Sequence, residues 1–92
     1  MNERSKKAIE TQESIRRILF YDWDPIGIND LAPEDEYDSY VGGIYRLLAS
    51  SASEYQIIEH LHRLEITKMG VSSNRKKLKD VAEKLMKLNV AL

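Results

Sequence analysis

Apolar residues recur along this chain at helical rather than strand spacing. Ala8, Ile15, Ile18, Leu19 and Trp23 fall on one stripe, with Lys6, Glu10, Glu13 and Arg17 facing away and Glu13 set four residues before Arg17 as an ion pair. The stripe predicts a first helix over residues 5–23, preceded by a disordered 1–4. Pro25 lacks an amide donor and crowds Asp24 out of the α region, so the helix ends at Asp24 or just before it. Tyr37, Val41, Ile44 and Leu48, flanked by Tyr40 and Tyr45, make a second stripe and predict a helix over 33–49 with Pro33 in its first turn, where a missing N–H is harmless. Gly42 and Gly43 lie off that stripe and weaken the helix, which points to a kink or to a close approach from outside.

Residues 50–53 hold two overlapping capping boxes, Ser51 with Glu54 and Ser53 with Gln56, ahead of a third helix over 54–69 that Gly70 stops. Ile57, Leu61 and Leu64 form one stripe of that helix; Tyr55, Ile58, His62, Ile66 and Met69 form another, the pattern of a central helix or a subunit contact. Ser72, Ser73 or Asn74 caps a fourth helix over 74–89, whose stripe is Leu78, Val81, Ala82, Leu85 and Leu88. Between the first two helices, WDPIGI opens an irregular connection in which Gly27 allows positive φ, Ile26, Ile28 and Leu31 are expected to plug the core, and Ile26 and Ile28 to cover Trp23. The expected fold is therefore all-α, a single compact four-helix bundle-like domain over residues 1–92.

Composition narrows the function. A chain of 92 residues leaves little room for an enclosed active site. The absence of cysteine removes disulfides and thiolate metal sites, and no apolar run approaches membrane-spanning length, so the expectation is a cytoplasmic protein without a membrane partner. Charge is segregated: residues 21–60 carry nine acidic side chains and one basic, whereas residues 61–92 carry eight basic and three acidic. The acidic residues Glu34, Asp35 and Glu36 suit a helix N-terminus, while Arg75, Lys76, Lys77 and Lys79 oppose the dipole of the helix they begin. The simplest offset is that the basic run faces the acid cluster Glu34, Asp35, Glu36 and Asp38 inside the fold.

Candidate chemistry is sparse. Asp22, Asp24, Gly27 and Asp30 open like a calcium loop, but Ile26 and Pro33 stand where further oxygen ligands are required. Glu59 and His62 have the spacing of a di-iron ligand pair in one copy where two are needed, and His60 points away from His62, giving an exposed His60 beside a half-buried structural His62. A helix-turn-helix reading of residues 65–85 places Lys76 and Lys79 where core residues are required. No serine has a nucleophile context. The sequence thus predicts a non-enzymatic chain with no metal or cofactor. Asp35, Glu36, Tyr37, Asp38 and Tyr40 form the preferred partner-binding face, because aromatics anchor interfaces and carboxylates attract basic partners. The alternative is nucleic-acid or anion binding through Arg75, Lys76, Lys77 and Lys79. A homodimer through the third helix or the Gly42–Gly43 face is compatible with either.

WDPIGI at 23–28, DEYDSYV at 35–41, and MGV at 69–71 with VAEKL after it, resemble a group of small bacterial proteins of unknown function. Their pattern is a helix ending in W-D/N-P-I/F-G, an acidic D-E-Y-D segment and two further helices. The resemblance spans residues 15–88 and extends more distantly to the YugE-like domain of bacilli. It implies a small helical fold and bacterial origin, and brings no catalytic residues. In size and charge the chain also resembles toxin-immunity proteins.

Overall fold

The computed structural model describes residues 3–28 and 30–88. Four helices and no strand are present among them: α1 (Glu3–Arg17), α2 (Val41–Ala49), α3 (Glu54–Thr67) and α4 (Arg75–Met86). A π-helical segment, Ile18–Trp23, continues α1 without a break, and a 3-10 turn, Asp38–Tyr40, leads into α2. The all-α bundle read from the sequence is the fold observed. Its radius of gyration, 12.9 Å, is near the about 12 Å of a compact chain of this length.

The four apolar stripes meet in one core. Ile15, Leu19 and Trp23 from the first helix, Ile44 from α2, Ile57 and Leu61 from α3, and Leu78, Ala82 and Leu85 from α4 are all fully buried. Each leucine or isoleucine among them contributes roughly 1.5–3 kcal/mol through burial. α3 packs along α4, α1 packs on α2, and the π-helical segment lies against α4. The widened π turn brings Leu19, Phe20 and Trp23 inward together.

The first helix begins two residues earlier than expected, at Glu3, so residues 3 and 4 are helical rather than disordered, and residues 1 and 2 lie outside those described. It ends as expected. Asp24 turns left-handed, at φ 31°, its amide returns to the carbonyl of Leu19, and Pro25 follows. Aspartate tolerates that conformation better than most residues.

The second helix is shorter than its pattern. It starts at Val41 rather than Pro33, and residues 33–40 form a succession of three-residue-spaced turns, Glu36 to Pro33, Asp38 to Asp35 and Tyr40 to Tyr37. Tertiary bonds cause this: Tyr37 is drawn inward to Asp24, and Asp38 is held by Arg16. Glu34, Asp35 and Glu36 are consequently not at an α-helix N-terminus. The connection before them is also less buried than expected. Ile28 packs on the core, but Ile26 is 44% and Leu31 85% exposed, and the rings against Trp23 belong to Tyr37 and Tyr40. Asn29, expected in a turn with Asp30, lies outside the described residues.

Of the two capping boxes only Ser53 with Gln56 forms, in both directions; Ser51 adopts φ 61° in the preceding turn. α3 stops at Thr67, two residues short of Met69, and Gly70 at φ 62° lets the amide of Val71 return to the carbonyl of Glu65. Asn74 is the cap of α4, accepting from the amides of Lys76 and Lys77. α4 ends at Met86, short of the expected 89, a position outside the described residues. The glycine pair marks no unusually close approach: a Cβ at Gly43 would stand 3.4 Å from Nε2 of His60, about van der Waals contact, and one at Gly42 would meet nothing within 4 Å. His60 is half-buried rather than exposed, and burial, then the charge of Arg63, holds its imidazole below the ordinary histidine range. No helix among the described residues is long and apolar enough to cross a membrane.

Candidate protein-binding groove

The left-handed turn at Asp24 is the foundation of the site. One carboxylate oxygen, Oδ1, accepts from the amide of Ile28 at 2.9 Å and from the hydroxyl of Tyr37 at 2.9 Å. This fastens the connection to the end of the first helix and holds the Tyr37 ring inside, 3% exposed, 5.5 Å from the Trp23 ring. Tyr40 meets Trp23 edge-on at 6.0 Å and stays half-buried. Above these rings runs an open groove of about 320 Å³, lined by Ile26, Glu36, Tyr37, Ser39, Tyr40, Lys68 and Met69.

The structure divides the predicted acidic-aromatic face. Glu36, Tyr37 and Tyr40 line the groove, with Tyr37 contributing to its floor as a buried side chain rather than as a surface anchor. Asp35 and Glu36 are exposed and form no ion pair among the described residues. Asp38 is taken out of the face: Arg16 donates to both its oxygens, at 2.8 and 2.7 Å. Glu34 likewise faces α1, 3.8 Å from Arg17 and bonded by the Tyr21 hydroxyl at 3.1 Å.

Glu34 and Asp38 therefore close on α1, and no member of the acid cluster pairs with the basic run of α4 among the described residues, a correction to the expected pairing. α4 lies against α3 and the π-helical segment, so its cations meet other carboxylates: Arg75 pairs with Glu59, and Lys84 reaches Asp22 at 2.6 Å. Glu13, expected to pair with Arg17, forms no ion pair among the described residues. These pairs are half-exposed, and solvent screening leaves them a minor part of the fold's stability. The alternative site is also divided. Arg75 is engaged, whereas Lys76, Lys77 and Lys79 are exposed without an ion pair among the described residues, and Asp80 and Glu83 interrupt them on the exposed side of α4.

Sequence reasoning missed three lining residues, Ser39, Lys68 and Met69, as groove residues, and placed Ile26 in the core. It also missed Glu65, 4% exposed, whose carboxylate accepts from Ser73 at 2.7 Å. A signal existed: Glu65 falls four residues after Leu61 on the buried stripe, and a carboxylate in that position requires a partner. Nδ1 of His62 lies 2.8 Å from the same Ser73 hydroxyl. That hydroxyl spends its proton on Glu65, so the imidazole donates to it, and His62 does not act as a base toward Ser73. The three side chains tie the α3–α4 turn together. Asp22 and Asp24, the start of the calcium-like loop, are occupied by Lys84 and by Tyr37 with Ile28. Glu59 of the di-iron-like pair is bound by Arg75.

Burial first, and then the bond to Asp24, push the Tyr37 hydroxyl well above the ordinary tyrosine range. The unfolded chain ionises this group near pH 10, while the folded chain keeps its proton. The stability contributed is complete below about pH 10 and is lost as pH rises through that value and toward the folded pKa. Chemical unfolding between about pH 8 and pH 11 should show this alkaline loss in the wild type and a shallower one in Tyr37→Phe. An equally steep curve in the variant would assign the loss to other groups.

No family model, no curated protein and no solved structure matches this chain.

Proposed function

We propose that this chain is a non-enzymatic protein-binding module, an adaptor or an immunity-type inhibitor, and that it engages a partner segment carrying a basic residue beside an apolar one. The observation that carries the reading is the groove over Trp23, Tyr37 and Tyr40. Ile26 and Met69 offer it apolar contact, and Glu36, with Asp35 on the same segment, offers carboxylates not committed to an ion pair among the described residues. The half-buried Tyr40 beside these carboxylates suits a partner arginine or lysine whose apolar neighbour enters the groove. The groove is open and shallow, which suits a peptide or protein surface better than an enclosed small molecule. The kinship proposed on WDPIGI and DEYD agrees with this emphasis, since those residues build the groove.

The test is capture of partners from the native cell at low and high salt. Wild type should retain a stoichiometric protein partner that the triple variant Ile26→Glu, Asp35→Asn, Glu36→Gln loses, while Glu83→Gln, an exposed carboxylate of α4 outside the groove, keeps it. A second reading, anion or nucleic-acid binding, is favoured by Lys76, Lys77 and Lys79, which project without ion partners among the described residues. Recovery of nucleic acid that high salt removes, equally from wild type and triple variant, would replace the first reading with the second.

A further inference from the structure

Tyr55 and Ile66, 68% and 51% exposed, are the two large apolar side chains that α3 leaves in solvent. Eleven residues apart at about 100° and 1.5 Å per residue, they differ by roughly 20° around the helix and by roughly 16 Å along it. They share one line, opposite the buried Ile57 and Leu61. Glu59 and Arg63 lie between them, both displaced to the same flank of that line by the same helical arithmetic. On this flank a shallow groove of about 390 Å³, lined by Tyr55, Glu59, His60 and Arg63 together with Leu47 and Gln56, separates α3 from α2.

We propose that this face of α3 pairs with the same face of a second copy of the chain, antiparallel about a twofold axis. A twofold perpendicular to both helices, level with the bond between His60 and Leu61, sets Tyr55 of one copy against Ile66 of the other and repeats that contact at the far end. The rotation reverses height along the helix but preserves the flank. Glu59 of one copy therefore comes beside Arg63 of the other, about one residue's rise away. Parallel pairing would instead invert the flank, putting Glu59 level with Glu59 and Arg63 with Arg63 on opposite sides, so that neither charge meets an opposite one. The antiparallel twofold matches apolar to apolar at its two ends and acid to base between them, the self-complementarity that a closed dimer requires. Arg75 holds Oε1 of Glu59 and so fixes the carboxylate for a second cation, and the groove gives the arriving Arg63 side chain room. The surface uses none of the residues of the Ile26 groove.

One helix face per copy is at the small end of interface sizes, so association belongs in the range of roughly 10 µM to 1 mM. Sedimentation equilibrium of the full chain across that range should show a monomer–dimer transition. Ile66→Glu should remain monomeric with an unchanged melting temperature, since Ile66 is exposed. The chain has no cysteine, so orientation can be read by crosslinking. A mixture of Tyr55→Cys and Ile66→Cys chains should form disulfide dimers at least about tenfold faster than either variant alone, because like positions are roughly 16 Å apart and out of disulfide reach. A wild type that stays monomeric at the highest concentration overturns the proposal. So does a dimer that survives Ile66→Glu, or Tyr55→Cys crosslinking alone as fast as the mixture.

Discussion

Trp23→Ala should cost about 3–5 kcal/mol of unfolding free energy, the largest loss expected from any single substitution in this chain. Trp23 is fully buried where the first helix, Tyr37 and Tyr40 converge, so its removal leaves a cavity that three rigid elements cannot close. A domain of this size has roughly 5–10 kcal/mol in total, and the variant should approach the limit of folding. Trp23→Phe should be much milder, about 1–2 kcal/mol. The indole Nε1 is buried and finds no acceptor among the described residues, so phenylalanine removes an unsatisfied donor while losing volume. Because Trp23 is the only tryptophan, urea unfolding must be followed by circular dichroism rather than indole fluorescence. Equal losses for the two variants would mean that the indole nitrogen has a partner after all.

Asp24→Ala should cost about 2–4 kcal/mol. The Tyr37 hydroxyl and the Ile28 amide would lose their shared acceptor, each at about 1–3 kcal/mol if left unsatisfied. Alanine would also have to adopt the left-handed φ of 31°. Asp24→Asn keeps an acceptor oxygen and tolerates that conformation, so its loss should stay near 1 kcal/mol. Hydrogen exchange should separate the two in space: in Asp24→Ala, protection should fall first across residues 24–40, while the α3–α4 contact stays protected. Uniform loss of protection would show that Asp24 acts on global stability and not as the clamp of the groove.

Local signals in the sequence resolved the parts of the fold that local chemistry controls. Pro25 marked the end of the first helix, Ser53 with Gln56 marked the start of the third, and the apolar stripes identified most of the core. What was not legible depends on which elements meet. The π-helical widening at Ile18–Trp23 has no periodic signature of its own. Pro33-Glu34-Asp35-Glu36 reads as a helix start, but Asp24 and Arg16 claim Tyr37 and Asp38 and hold the chain in turns. Charge segregation correctly indicated internal ion pairing and misassigned the partners, because α4 lies against the π-helical segment and α3 while the acidic segment lies on α1. At the candidate site, Glu36, Tyr37 and Tyr40 were legible from composition. Ile26 and Met69 were not recognisable as groove residues, since an apolar residue beside a turn reads as core.

The most direct test of the groove is to select peptides from a random display library on the folded chain and to map their binding by backbone and side-chain NMR shifts. The groove reading expects selected peptides to combine lysine or arginine with a neighbouring large apolar residue. They should perturb Ile26, Glu36, Tyr40 and Met69, and lose binding to Ile26→Glu. Peptides that instead perturb Lys76, Lys77 and Lys79, or that bind Ile26→Glu as well as wild type, would contradict it.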